Sequence, residues 1–138
     1  MILVIRIHGR AEIDTKVEES LNRLHIHRKL TATLVNGNDE VTKGMLRKVE
    51  NYVCFDEVSD DVIKQVIFKR GQTLVGKAIA EKDIQKILDE IKKDNWTIKK
   101  FFRLHPPIGG FKKSTKLNYP KGILGRNKDI TKLVLRML

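Results

Sequence analysis

Three short runs rich in β-branched residues alternate with two amphipathic stretches inside the first sixty residues, and that alternation constrains the fold more than any other feature. Ile2 to Ile7 is an apolar run ending in His8-Gly9-Arg10, which predicts a buried strand and a turn. Thr15 and Glu18 have capping-box spacing, with Val17, Leu21 and Leu24 behind them on one face, so a helix is expected over residues 15–25. Leu30 to Val35 is the next strand, closed by Asn36-Gly37-Asn38-Asp39. Val41, Met45 and Val49 then recur every four residues, with Leu46 adjoining, and predict a second amphipathic helix. Gly44 inside it costs about 1 kcal/mol of propensity relative to Ala, and close approach of another backbone is the expected reason. Tyr52 to Phe55 is a third strand, which completes β-α-β-α-β.

The second half is less regular. Ser59 is placed to cap a helix over 60–70 that buries Val62, Ile63, Val66 and Ile67 and stops at Gly71. Asp83 is placed to cap another, with Ile84, Ile87, Leu88 and Ile91 on its apolar face. Trp96 to Leu104 reads as extended, and His105-Pro106-Pro107-Ile108-Gly109-Gly110 breaks regular structure. A basic loop is expected as far as Gly125. Asn127 would then cap a last helix, with Ile130, Leu133, Val134 and Met137 toward the core. Lys128, Lys132 and Arg136 follow each other at i, i+4, i+8 and would form one basic stripe along it.

Charge separates the halves. Residues 1–60 carry net −1 and residues 61–138 net +12. Trp96 to Leu138 holds eleven Lys/Arg and one acid, Asp129. A solvated face normally intersperses both signs. This stretch suits a polyanion, and the phenylalanines, His105 and Tyr119 threaded through it suit nucleic acid. The expected division is a β-α-β-α-β core over 1–58 and a basic C-terminal subdomain over 59–138. Cys54 is the only cysteine, so no disulfide framework within the chain is available. No apolar stretch reaches the roughly 20 residues of a membrane span, and the N-terminus lacks a signal-peptide pattern, so a cytoplasmic location is expected.

Chemistry-bearing constellations are sparse. His25 and His27 are two residues apart and lack zinc-ligand spacing. Cys54 sits between Val53 and Phe55, where a free cysteine acts as a small core residue. Glu18-Glu19, Asp39-Glu40, Asp56-Glu57 and Asp60-Asp61 read as caps or solvated faces rather than catalytic pairs. Gly76-Lys77 lacks the rest of a phosphate-loop pattern. The expectation is therefore no metal, no cofactor and no enzyme activity. The loop from Pro106 to Lys113 stands apart. Prolines stiffen it, Gly109 and Gly110 admit a close neighbour, Phe111 is equally suited to packing or stacking, and Lys112 and Lys113 reach outward.

A family resemblance adds to this reading. Ile5-Arg6-Ile7-His8-Gly9-Arg10, and the segment from Lys29-Leu30-Thr31 to Lys43-Gly44-Met45-Leu46-Arg47-Lys48-Val49, resemble the L30 family of large-subunit ribosomal proteins. Phe102-Arg103-Leu104-His105-Pro106-Pro107-Ile108-Gly109-Gly110-Phe111 and Gly122-Ile123-Leu124-Gly125-Arg126 are similar to the longer archaeal and eukaryotic members. Ile108 stands where the eukaryotic loop commonly has a basic residue, and the long basic N-terminal extension of eukaryotic members is not expected here. The resemblance implies an α+β, ferredoxin-like fold with a three-stranded antiparallel sheet, two helices on one face and a C-terminal subdomain. It also implies a place in the large subunit against 23S rRNA, near 5S rRNA and neighbouring ribosomal proteins, with no membrane or small-molecule partner.

The candidate RNA-binding residues are Arg10, Lys43, Arg47 and Lys48 on the core, then Lys99, Lys100, Arg103, His105, Gly109, Gly110, Phe111, Lys112, Lys113, Lys116, Lys121, Arg126, Lys128, Lys132 and Arg136. The rival readings are a small-molecule regulatory module on a ferredoxin-like sheet, an RNA-modifying enzyme, and an RNA-binding protein outside the ribosome.

Overall fold

In the computed structural model, which describes residues 1–138, the β-α-β-α-β order holds. β1 (Ile2–Arg6), α1 (Thr15–Arg23), β2 (Thr31–Val35), α2 (Glu40–Val49) and β3 (Val53–Glu57) follow one another. β1 lies between β2 and β3 and is antiparallel to both, with Leu3 opposite Leu34 and Ile5 opposite Cys54.

The sheet does not stop at three strands. After α3 (Asp60–Arg70), a 3-10 turn at Glu81–Asp83 and α4 (Ile84–Lys92), the chain forms β4 (Phe102–Arg103), β5 (Ser114–Asn118) and β6 (Gly122–Arg126) before α5 (Ile130–Leu135). The order across the sheet is β4-β2-β1-β3-β6-β5. β4 is antiparallel to β2, and β6 is parallel to β3 through Cys54–Gly125 and Phe55–Arg126. The three-stranded expectation is thus corrected to a six-stranded mixed sheet. A three-stranded sheet would leave two rows of backbone N–H and C=O groups open, and β4 and β6 occupy them.

Both faces of the sheet are covered. Val4 and Val53 pack against Leu21 and Leu24 of the first helical segment and Leu46 and Val49 of α2. Leu3, Ile5, Leu34 and Cys54 point the other way, into a larger cluster with Ile63 and Ile67 of α3, Leu88 and Ile91 of α4, and Leu133 and Val134 of α5. A strand buried on both sides reads as a continuous apolar run, as β1 does. The second half of the chain therefore supplies the cover for one whole face of the sheet.

Local corrections follow from competing chemistry. Asp14, not Thr15, caps α1, its carboxylate accepting from the Lys16 N–H at 3.4 Å. Aspartate outranks threonine as a cap. In α2 the buried positions are Thr42, Leu46 and Val49, with Met45 half-buried and Val41 68% exposed. The Asp39 cap sets that rotation by accepting from the Thr42 N–H at 3.1 Å and the Thr42 hydroxyl at 2.6 Å. Gly44 is exposed, and a Cβ there would meet nothing within 4 Å, so no backbone of this protein explains it. Gly71 is the opposite case. Its backbone has an ordinary negative φ, and an added Cβ would strike the Ile67 carbonyl and the Ile79 side chain. Ser59 and Asp83 flank their helices without a side-chain capping bond. The extended stretch shrinks to β4, and the expected basic loop contains β5 and β6. Asn127 is not the cap of α5, since Asp129 holds that position. Asn127 is instead buried, donating to the Ile123 carbonyl at 3.1 Å and accepting from the Asp129 N–H at 2.9 Å.

Candidate nucleic-acid interface

The approach to the basic tail is pinned by the sheet. Thr33, buried on β2, donates its hydroxyl to the Lys100 carbonyl at 2.7 Å. That bond and the β2–β4 ladder send Phe102 into the core and leave Phe101 half-buried and Arg103 exposed. Lys100 projects over the Trp96 ring, and Lys99 bonds the Gln72 side chain at 3.2 Å.

The proline-glycine loop is clamped rather than loose. Pro107 is buried and Ile108 is 80% exposed. The His105 and Ile108 N–H groups donate to the Met137 and Arg136 carbonyls, both at 2.9 Å. In return the Arg136 guanidinium donates to the Ile108 carbonyl at 2.9 and 2.7 Å and to the Gly110 carbonyl. Gly109 and Gly110 have φ of 76° and 71°, a conformation that only glycine adopts cheaply, and this lets both carbonyls turn toward one side chain. Arg136 thus organises the loop and is not a freely extended member of a basic stripe. Lys128 precedes α5, and Lys132 is exposed on it.

Phe111 packs against the large core cluster and also lines a cavity of about 310 Å³ with Lys112, Lys113, Lys132 and Arg136. Asp129 is the acid of this cavity, pairing with Lys113 at 3.2 Å and Lys132 at 4.0 Å. Lys113 also lies 4.6 Å from the centre of the Tyr119 ring. Lys112, Lys116, Lys121 and Lys128 are exposed and make no ion pair.

The candidate residues therefore fall into three groups. The loop, β5, the turn after it and the α5 region carry the candidates from His105 to Arg136 other than Arg126. Arg126 sits apart from these, paired with Asp56 at 3.1 Å, and shares a hollow with Lys43 and Arg47 of α2. Lys48 is exposed on the same helix. Arg10 and Arg103, distant in sequence, face a common cleft at the β4 edge.

Two contributions escape a reading by charge density. Arg6 is fully buried in β1 and meets no carboxylate. Its guanidinium donates to the carbonyls of His8 (2.9 Å), Ile26 (3.0 Å), His27 (3.0 Å) and Gly9 (2.9 Å). Burial lowers its pKa and the charge of Arg10 lowers it further, yet an arginine stays charged. Arg28 joins Arg10 and Arg103 at the cleft. A lone arginine inside an apolar strand was the available signal for the first. Nothing local marked the second. Beside them, burial pushes His25 below its ordinary value of 6.5, and the charges of Lys100 and His27 act in the same direction. Burial also drives the Cys54 thiol up to about 12, against a weaker opposing hydrogen bond from Asn127.

Known proteins resemble the chain over nearly its whole length. Residues 2–53 match the model of the family described as ribosomal protein L30p/L7e. The chain is 33% identical to large ribosomal subunit protein uL30 of Staphylothermus marinus, with 98% of this chain and 96% of the relative covered. It is also 33% identical to uL30 of Cenarchaeum symbiosum, over 99% of this chain and 97% of the relative. For uL30 of Korarchaeum cryptofilum the figures are 32%, 100% and 95%. The likeness extends through the basic half, well beyond the segment matched by the family model, and the chain belongs to the uL30 (L30p/L7e) family of ribosomal proteins.

Proposed function

We propose that this protein is a non-catalytic component of the large ribosomal subunit that binds 23S rRNA, close to 5S rRNA, through lysine and arginine contacts to phosphates. The observation that carries the proposal is the near acid-free surface of residues 96–138 folded onto a neutral scaffold, in a chain whose relatives are named as large-subunit proteins. Residues 1–58 serve as that scaffold and residues 59–138 as the main binding region. Phosphate contacts fix position and orientation, and structured RNA is otherwise read by shape and by exposed bases. Lys112, Lys113, Lys116, Lys121, Lys128 and Lys132 form the principal footprint. Arg126, Lys43, Arg47 and Lys48 extend it across the core, and Arg10, Lys99, Lys100 and Arg103 extend it along the β4 edge. Arg136, Gly109 and Gly110 set the loop that presents His105 and Phe111.

Displacement of counterions by about six such cations gives a slope of log K against log salt of roughly −4 to −5. Filter binding to a large-subunit rRNA transcript measures it. Co-sedimentation with large subunits after a high-salt wash is the second expectation. A slope near zero, or recovery only in the ribosome-free fraction, refutes the proposal.

A further inference from the structure

The β4 edge holds a cleft of about 290 Å³ whose lining includes Arg10, His25, His27, Arg28, Phe101 and Arg103, and no acid. Its cations come from three separate segments of the chain: the turn after β1, the stretch before β2, and β4. We propose that this cleft binds one unpaired RNA nucleotide, with its phosphate among Arg10, Arg28 and Arg103 and its base against Phe101. The inference rests on the RNA-binding reading above and adds to it a site for a single base.

Four observations support a built site rather than a chance crowding of charge. Buried Arg6 spends its donors on the carbonyls of Gly9, Ile26 and His27, and so ties the two loops that carry Arg10 and Arg28. Arg10 adds a bond of its own to the His27 carbonyl at 3.2 Å. His25 and Leu30 both have φ of 60°, a left-handed conformation that costs a side-chain-bearing residue energy and that clusters at binding sites. Finally, Arg28 and Arg103 have no ion-pair partner and Arg10 has only Glu18, at 3.7 Å and outside the cleft lining, so the excess of positive charge favours an anion between them.

The chemistry narrows the ligand further. The cleft is close to the low end, about 300 Å³, of small-ligand sites, which is roomy for a lone phosphate. Phe101 offers an aromatic surface, on which a splayed-out base stacks. A base inside a continuous helix has no free face for it. Phe101 and Arg103 also line a second acid-free hollow with Lys69 and Arg70, which gives the strand a basic path onward.

The test uses the full chain, a large-subunit rRNA transcript and an eight-residue oligouridylate. On both RNAs F101L is expected to weaken binding about five- to a hundredfold with an unchanged salt slope, as loss of one stacked base requires. F101Y and F101W should retain it. R28A, at an exposed position, should weaken binding and flatten the slope by roughly 0.7–0.9. F101L and R28A both binding like wild type overturns the cleft while leaving the rRNA reading intact, and so does F101Y failing as badly as F101L. Wild type binding only the oligonucleotide, in a Phe101-dependent way, keeps the cleft and sinks the rRNA reading. Binding to neither RNA sinks both.

Discussion

The guanidinium of Arg6 donates to the carbonyl of Ile26 at 3.0 Å, bridging twenty residues of chain from within the sheet. Substituting Arg6 by Ala would leave that carbonyl and those of His8 and Gly9 without the Arg6 donor, and the His27 carbonyl with only its bond from Arg10. Hydrogen bonds to a charged group contribute roughly 1.5–3 kcal/mol each, and several are lost together. Arg6→Ala is therefore expected to cost about 3 kcal/mol or more in urea unfolding. Arg6→Lys should recover only part of this, because an ammonium cannot reproduce the planar fork.

Gly44 and Gly71 should respond to alanine with opposite signs. Gly44→Ala places a methyl in open space on a helix, so the free protein gains about 0.5–1 kcal/mol. Lys43, Arg47 and Lys48 surround that bare patch on α2, and RNA affinity should fall if a phosphate backbone approaches it. Gly71→Ala forces a methyl against the Ile67 carbonyl and Ile79, and should cost about 1–3 kcal/mol. Thermal melts and filter binding on the two variants check all three outcomes.

Arg136 and Lys132 lie four residues apart with different expected roles. Arg136→Ala releases the Ile108 and Gly110 carbonyls. It should lower stability by about 1–2 kcal/mol and speed amide exchange in the proline-glycine loop. Lys132→Gln should leave stability within about 0.5 kcal/mol and reduce the salt slope of RNA binding by roughly 0.7–0.9. Equal effects on melting would remove the distinction.

Acid should move stability and RNA affinity in opposite directions through His25. Its pKa lies below 6.5 in the folded protein, so the unfolded chain takes up its proton first. Its contribution to stability is present above pH 6.5 and is lost as pH falls through the lower, folded value. A phosphate in the cleft favours the protonated ring, so binding takes up a proton and tightens over the same interval. His25→Gln should flatten both profiles, as read by melting and by filter binding between pH 7.5 and 5.5.

Cys54 should be inert. With its thiol pushed up to about 12, roughly one molecule in ten thousand carries a thiolate at pH 8. An aromatic disulfide reagent should label the native protein negligibly and the urea-unfolded protein stoichiometrically.

Much of this architecture was legible from periodicity. The helix starting at Asp60 ends at Arg70, immediately before the glycine expected to stop it, and Ile130, Leu133, Val134 and Met137 are all buried as their spacing implied. β5 and β6 were hidden because Ser114–Asn118 is mostly exposed and the glycines of Gly122–Arg126 imitate a loop. The burial of β6 depends on β3, a strand far away in the chain, and β5 pairs only with β6, so the information that makes them strands is not local. The same holds for the cleft at the β4 edge. Charge density highlights residues 96–138, whereas three arginines converge there only because β4 pairs beside β2. Arg136 shows the converse, a residue of the basic run whose cation is committed to carbonyls within the protein.

The parallel pairing of β6 with β3 has a consequence for biosynthesis. Asp56 and Arg126, paired across these strands, are separated by seventy residues. At roughly 5–20 residues per second, the nascent chain holds β3 with an open edge for about 4–14 s. During that time α3 and α4 emerge to cover part of the face that carries Leu3, Ile5 and Cys54, but α5 is still missing from it. The β-α-β-α-β segment is thus a translation intermediate with one open edge and an incomplete cover, both closed only once β6 and α5 leave the exit tunnel.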